Sequence, residues 1–341
     1  MADFAQVRGF EDAVRPPIRQ RRARLTDPPG RVARSRPDMA PRARLDRIAR
    51  RVPEVMVKIT GRTRDGGHLK NHLAYIGRNG KLPLEGADGE RIQSRGQVAM
   101  LVGDWMAEVE ADPRRRKDSA VSLSIVLSMP PGTDPFRMHD ASRAFAGRTF
   151  GDSHPYVFAL HTDERHPHVH LTVRTLGHDG RKLNPRKADL ERWRQTFAAA
   201  LRDRGVEAEA TPRRARGIVK KAETGSVHRI RARFSRQEGP PPKVDIAAVR
   251  DALDQARETP WVAAGRARQT SIRRYFVAQE LALSRSDRGD DRKLAADLEA
   301  FVTTMPPVRT RAEEMLSRVL ERGTAEIDRS ERSKGLTNRR R

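Results

Sequence analysis

Leu160-His161-Thr162-Asp163-Glu164-Arg165-His166-Pro167-His168-Val169-His170-Leu171-Thr172-Val173 holds four of the chain's ten histidines. His168 and His170 are two apart in a run that reads as a strand. Strand side chains alternate between faces, so both imidazoles point one way while Val169, Leu171 and Val173 point into a core. His161 ends the preceding apolar run, Tyr156 to Leu160. A short polar turn between antiparallel strands brings it back beside His168. Three imidazoles, His161, His168 and His170, then converge on one point, the pattern of a three-histidine metal site with positions left for substrate. Asp163 lies close enough to orient a ligand histidine through its other nitrogen.

Working outward, 120–128 alternates well enough for a further strand. Residues 55–59 give another short one. Helical spacing places Leu69, Leu73 and Ile76 on one buried stripe, ended by Gly77 and the Asn79-Gly80 pair. Residues 94–110 read as a helix with Val98, Leu101, Val102, Trp105 and Met106 inward. Residues 135–150 and 186–203 are helical as well, the latter around Leu190, Trp193, Phe197 and Leu201. Strands and helices mixed in this order define an α+β domain, expected over 53–220. Residues 1–52, rich in Arg and Pro, read as a disordered basic arm. Residues 221–341 read as an α-helical basic region, with helices at 244–257, 260–283, 290–303 and 308–328.

The 341 residues hold 69 Lys and Arg against 45 Asp and Glu, a net charge of +24. Such an excess points to a polyanionic partner, nucleic acid first. No stretch approaches the roughly 20 apolar residues needed to span a bilayer, so stable membrane insertion is not expected. Cysteine is absent, which excludes disulfides and thiolate zinc sites. No apolar leader follows the start, and the default location is the cytoplasm.

His68, His72 and Tyr75 succeed one another at spacings of four and three, a single helix stripe with Lys70, Arg78 and Lys81 beside it. A phenol among cations suits a phosphodiester. Arg174, Arg181, Lys182, Arg186 and Lys187 come after the histidine strand and read as phosphate contacts. Aromatic content is only 5%, so extensive base stacking is not expected.

Tyr75 in His-Leu-Ala-Tyr-Ile-Gly-Arg-Asn-Gly, followed by His161-Thr-Asp-Glu-Arg-His-Pro-His-Val-His170, resembles the relaxase/mobilisation nucleases within the HUH endonucleases. This group includes plasmid mobilisation relaxases and T-DNA border endonucleases. Gly180-Arg-Lys-Leu-Asn-Pro-Arg-Lys, Trp193-Arg194 and Arg204-Gly-Val-Glu207 fit the segments downstream of the histidine motif in that family. The resemblance covers roughly 54–220 and implies an HUH-type antiparallel sheet with flanking helices. It implies Tyr75 as nucleophile and His161, His168 and His170 as metal ligands, with Asp163 and His166 at motif positions of the catalytic site. The implied reaction is site- and strand-specific nicking at an origin of transfer, through a reversible 5′-phosphotyrosine, to start conjugative mobilisation. Passage to a recipient cell attached to the DNA is a further implication.

Three imidazoles suit Mn²⁺, Zn²⁺ or other transition ions. Mn²⁺ or Mg²⁺ is expected to support activity, because phosphate oxygens and water complete the shell. No phosphate-binding Gly-x-x-x-x-Gly-Lys-[Ser/Thr] occurs, so a separate helicase is expected, along with accessory nicking and coupling proteins. Rolling-circle replication initiators and transposases share this chemistry. A decayed, DNA-binding relative is another alternative. The histidine-triad nucleotide hydrolases fit less well, since they want an apolar residue where Pro167 stands and use a covalent histidine without metal. The two-motif phosphoesterases need a second His-x-Thr or His-x-Ser, which this sequence lacks.

Overall fold

The computed structural model describes residues 41–116, 118–218, 223–253 and 260–317. These fall into two compact units, 41–211 and 212–317. Residues 1–40 of the expected arm, residues 254–257, and the end of the expected 308–328 helix lie outside the described residues.

The first unit is built on a six-stranded sheet. Its strands are β1 (Met56–Thr63), β2 (Leu84–Gly86), β3 (Arg91–Ile92), β4 (Ser122–Ser128), β5 (Tyr156–His161) and β6 (His168–Arg174), in the order β1-β4-β6-β5-β2-β3. All five pairings are antiparallel. The helices are α1 (Pro41–Ala49), α2 (Gly66–Ile76), α3 (Arg95–Ala111), α4 (Pro135–Ala146) and α5 (Lys187–Arg202).

Period-two patterning decides what each face covers. Leu123, Ile125 and Leu127 of β4 join Val169, Leu171 and Val173 of β6 beneath Phe145 of α4 and Trp193, Phe197 and Leu201 of α5. The opposite face alternates with polar groups: Ser122, Ser124 and Ser128 on β4, and His168, His170, Thr172 and Arg174 on β6. Part of it is covered by α2 through Leu69, Leu73 and Ile76, and by α3 through Val98, Val102, Trp105 and Val109. Helix α3 starts on a reciprocal box, in which Ser94 accepts from the Gln97 amide while the Gln97 side chain accepts from Ser94. Asp65 caps α2 by accepting from the His68 amide at 2.7 Å.

The disordered arm does not extend to residue 52. Residues 41–49 form α1, whose Leu45, Ile48 and Ala49 are buried together with Val52. Arg47 holds the helix down by pairing with the buried Glu209 carboxylate at 2.7 Å. So few apolar positions among arginines and a proline make too thin a stripe to separate this helix from the arm on pattern alone. The β2–β3 hairpin has no sequence signal either, because strands of three and two residues are too short to show a period.

The second unit is helical: α6 (Gly225–Ser235), α7 (Lys243–Leu253), α8 (Pro260–Ser284) and α9 (Gly289–Thr303). Helices α8 and α9 pack through buried Ile272, Phe276, Leu283, Leu294, Leu298 and Phe301. Helix α6 is an addition to the expected set; Thr224 caps it and Arg231 grips Asp245 of α7 with two nitrogens. No helix among the described residues is long and apolar enough to cross a membrane.

Candidate metal centre and tyrosine

Antiparallel pairing of β5 with β6 sets His161 directly opposite His168. His170, two residues further along, faces the same way. The three rings lie with centroids 4.6–5.2 Å apart. One ligand nitrogen from each lies within 4.8 Å of the others. Backbone carbonyls fix two of the tautomers. His161 Nε2–H donates to the Ile76 carbonyl at 2.6 Å, which leaves the lone pair on Nδ1, where it accepts from Arg78 at 3.2 Å. His168 Nδ1–H donates to the His166 carbonyl at 3.0 Å, leaving Nε2. Burial is the main cause that lowers the pKa of His170, to about 4, and the neighbouring imidazoles add to it. His161 is lowered as well, again chiefly by burial. For His161 and His170 this favours the neutral imidazole, the form that binds a divalent ion. The donor set therefore fits a transition ion with open positions.

Tyr75 stands in the last turn of α2, 58% exposed, with its ring edge-on to His170 at 6.1 Å between centroids. The helix ends at Gly77. Arg78, Asn79 and Gly80 then all take left-handed φ, at 51°, 56° and 89°. Two of the three carry a side chain, so this tight reversal is strained. It turns the Arg78 guanidinium back over the site. Arg78 donates to the Asp163 carboxylate at 2.5 Å and to His161 Nδ1 at 3.2 Å, and it lies 5.6 Å from the centre of the Tyr75 ring. Tyr75, Arg78, Lys81, Thr162 and Asp163 line an open cavity of about 470 Å³.

The expected roles of neighbouring residues change in places. Asp163 bonds Arg78, and carbonyls rather than a carboxylate orient the histidines. His166 is exposed and reaches the cluster through its backbone oxygen. His72 leaves the stripe it shares with His68 and turns into the sheet. Its Nε2 meets Ser124 Oγ at 2.9 Å and Thr172 Oγ1 at 3.0 Å, and burial lowers its pKa. That polar pocket is legible in the sequence only as serines alternating along β4.

Arg174 is not a phosphate contact. It is 1% exposed, donates to the Leu176 carbonyl at 2.9 Å and pairs with Glu108 of α3 at 2.5 Å. It alternates onto the same face as the histidines, but further along, where α3 covers the sheet. The exposed Arg181, Lys182, Arg186 and Lys187 lie beyond that end of β6. At about 3.3 Å per strand residue, Leu176 is already about 20 Å from His170. Arg181 pairs with Asp179 and Lys182 with Asp112. Lys70 is exposed on α2 and lines a second cavity, which shares Asn79 and Leu82 with the first.

This antiparallel sheet and this histidine cluster are what a relaxase-type nuclease domain requires, and part of the chain is similar to that family. More narrowly, residues 86–206 match the family described as MobA/VirD2-like, nuclease domain; the match spans all three histidines, and Tyr75 precedes it. The chain is 29% identical over 206 residues to the T-DNA border endonuclease VirD2 of Rhizobium radiobacter, covering 54% of this chain and 48% of that protein. It is 27% identical over 195 residues to the VirD2 of Agrobacterium fabrum, covering 52% and 43%. The chain thus spans about half the length of the relatives it matches. Among solved structures, a MobM relaxase domain bound to oriT DNA aligns with 12% identity and a TM-score of 0.36, covering 51% of this chain and 98% of that one.

Proposed function

We propose that the unit 41–211 nicks single-stranded DNA at one site by tyrosine transesterification, as the first step of mobilising the DNA that carries it. The observation that supports this reading is the exposed phenol of Tyr75 edge-on to His170 of a three-imidazole cluster. With Arg78 shifted off His161 Nδ1, that nitrogen, His168 Nε2 and a nitrogen of His170 would hold a divalent ion, Mn²⁺ or Mg²⁺. Bound there, such an ion would neutralise charge on the phosphate oxygens, whose repulsion of nucleophiles makes the ester hard to cleave. Tyr75 Oη attacks phosphorus in line. The phenol loses its proton, a phosphotyrosine ester forms to the 5′ side, and the 3′-oxygen leaves and is protonated. The ester bond is exchanged rather than hydrolysed, so the 3′-hydroxyl can reverse the step and close the strand. Arg78 and Lys81 supply positive charge where the phosphate lies. Ile76 and His166 orient the histidines through their carbonyls.

A nick at an origin of transfer calls for a separate helicase and for accessory and coupling proteins, all acting in the cytoplasm. The test uses labelled single strands tiling the DNA beside the gene, with Mn²⁺ and denaturing gels. A protein-linked fragment is expected with the wild type. None is expected with Tyr75→Phe or with EDTA. A fragment that persists in Tyr75→Phe would sink the reading.

A further inference from the structure

We propose that the cavity between α2 and the β2–β3 hairpin binds a nucleobase of the strand that Tyr75 attacks, and so sets which sequence is nicked. This rests on the nicking reading. The cavity has a volume of about 300 Å³, ample for one base. Its walls are the buried side chains of Leu73, Leu84, Ile92 and Val98. Its rim carries the amides of Asn71 and Gln93, with the cations Lys70 and Arg95 beside them. A base is apolar on its two faces and polar at its edge. Apolar walls cover the faces, amides pair with the edge, and cations at the mouth suit the flanking phosphates.

Position is the second argument. Asn79 and Leu82 line both this cavity and the one that holds Tyr75 and Arg78. The left-handed turn Arg78-Asn79-Gly80 is therefore a ridge between them. A strand crossing it lays a phosphate against Tyr75 on one side and a base into the apolar cavity on the other. The ridge is fixed from behind. Gln93 Nε2 donates to the Gly80 carbonyl at 3.0 Å, and a Cβ on Gly80 would sit 3.0 Å from the Gln93 carbonyl oxygen. The same amide thus rims the cavity and holds the turn that aims Arg78. The cavity is built before the strand arrives, which favours a specific base.

The test takes the oligonucleotide that gives the Tyr75 adduct and replaces each nucleotide near the nick by the other three bases in turn. Nicking rates are compared for the wild type, Asn71→Trp, which plugs the mouth from an exposed position, and Gln93→Ala. Thermal melts confirm that each variant folds. The wild type should lose about tenfold or more at one sensitive position. Both variants should be nearly indifferent to the base there and keep their dependence on the bases elsewhere, with the overall rate of Gln93→Ala lowered at every position because its amide also holds the turn that aims Arg78. Adducts with an unaltered base profile in both variants would overturn the pocket and leave the nicking reading standing. No adduct with any oligonucleotide would remove the nicking reading, and this inference with it.

Discussion

The two ends of β6 present polar side chains to the same face of the sheet and put them to opposite use. At one end His168 and His170 meet His161, and one ring nitrogen of each lies within 4.8 Å of the others beside an exposed tyrosine. At the other end Arg174 is sealed beneath α3, spent on Glu108 and the Leu176 carbonyl. The difference lies in what covers each end. Helix α2 stops at Gly77 and its chain doubles back through three left-handed residues, which leaves Tyr75 and the cavity beside it open at this end, over the buried His161 and His168. Helix α3 runs on to Ala111 and closes the other. A strand supplies the alternation, and the helix above it decides whether a polar residue becomes a site or a strut.

The largest effect that can break this contrast is at the open end. His170→Ala should weaken Mn²⁺ binding by at least about 100-fold, since even loss of a group that merely supports a ligand costs 10–100-fold. Calorimetric titration reads this directly. Unchanged affinity would mean that the cluster is a packed histidine group and not a metal centre. Metal-free stability gives a second test. The pKa of His170 in the fold, about 4, lies below its ordinary 6.5. Between those values the unfolded chain takes up the proton and the folded one does not. Stability of the metal-free protein should therefore be flat above pH 6.5 and fall as pH drops toward 4, by on the order of 1–2 kcal/mol once the partial exposure of the ring is allowed for. Urea melts at stepped pH measure it, and His170→Phe should flatten the slope.

At the closed end the expected change is smaller and of a different kind. Arg174→Ala should cost about 2 kcal/mol of stability, from lost packing of the buried stem and loss of its bond to the Leu176 carbonyl. Affinity for single-stranded DNA, measured where the variant is fully folded, should not change. A loss of DNA affinity without a loss of stability would return Arg174 to the binding surface.

The sequence carried the open end well and the closed end poorly, for a physical reason. His168 and His170 in phase on one strand, with His161 ending the strand before it and alternating Val and Leu beside them, specify face and register together. Gly77 and Asn79-Gly80 mark where α2 ends. Nothing local announces that Arg78 takes a left-handed φ and swings over His161. Nor does anything local reveal that Glu108, sixty-six residues before Arg174, lies above it. Those are consequences of tertiary packing. The same holds for His72: its serine and threonine partners come from β4 and β6, and spacing within α2 groups it with His68 instead.

The smallest effect separates two lysines of equal charge. Lys81 lines the cavity that holds Tyr75, while Lys182 lies beyond the far end of β6 and already pairs with Asp112 at 3.6 Å. Each phosphate contact to a single strand contributes about −0.7 to the slope of log affinity against log salt. Lys81→Ala should therefore make that slope shallower by about 0.7 and weaken binding several-fold at low salt. Lys182→Ala should leave both unchanged, because its charge lies outside the strand's path and is partly neutralised by its partner. Fluorescence anisotropy with a short labelled oligonucleotide, repeated across salt, distinguishes the two. Equal slope changes would mean that the strand continues past the metal centre to the far end of the sheet, and the closed end would then belong to the binding surface after all.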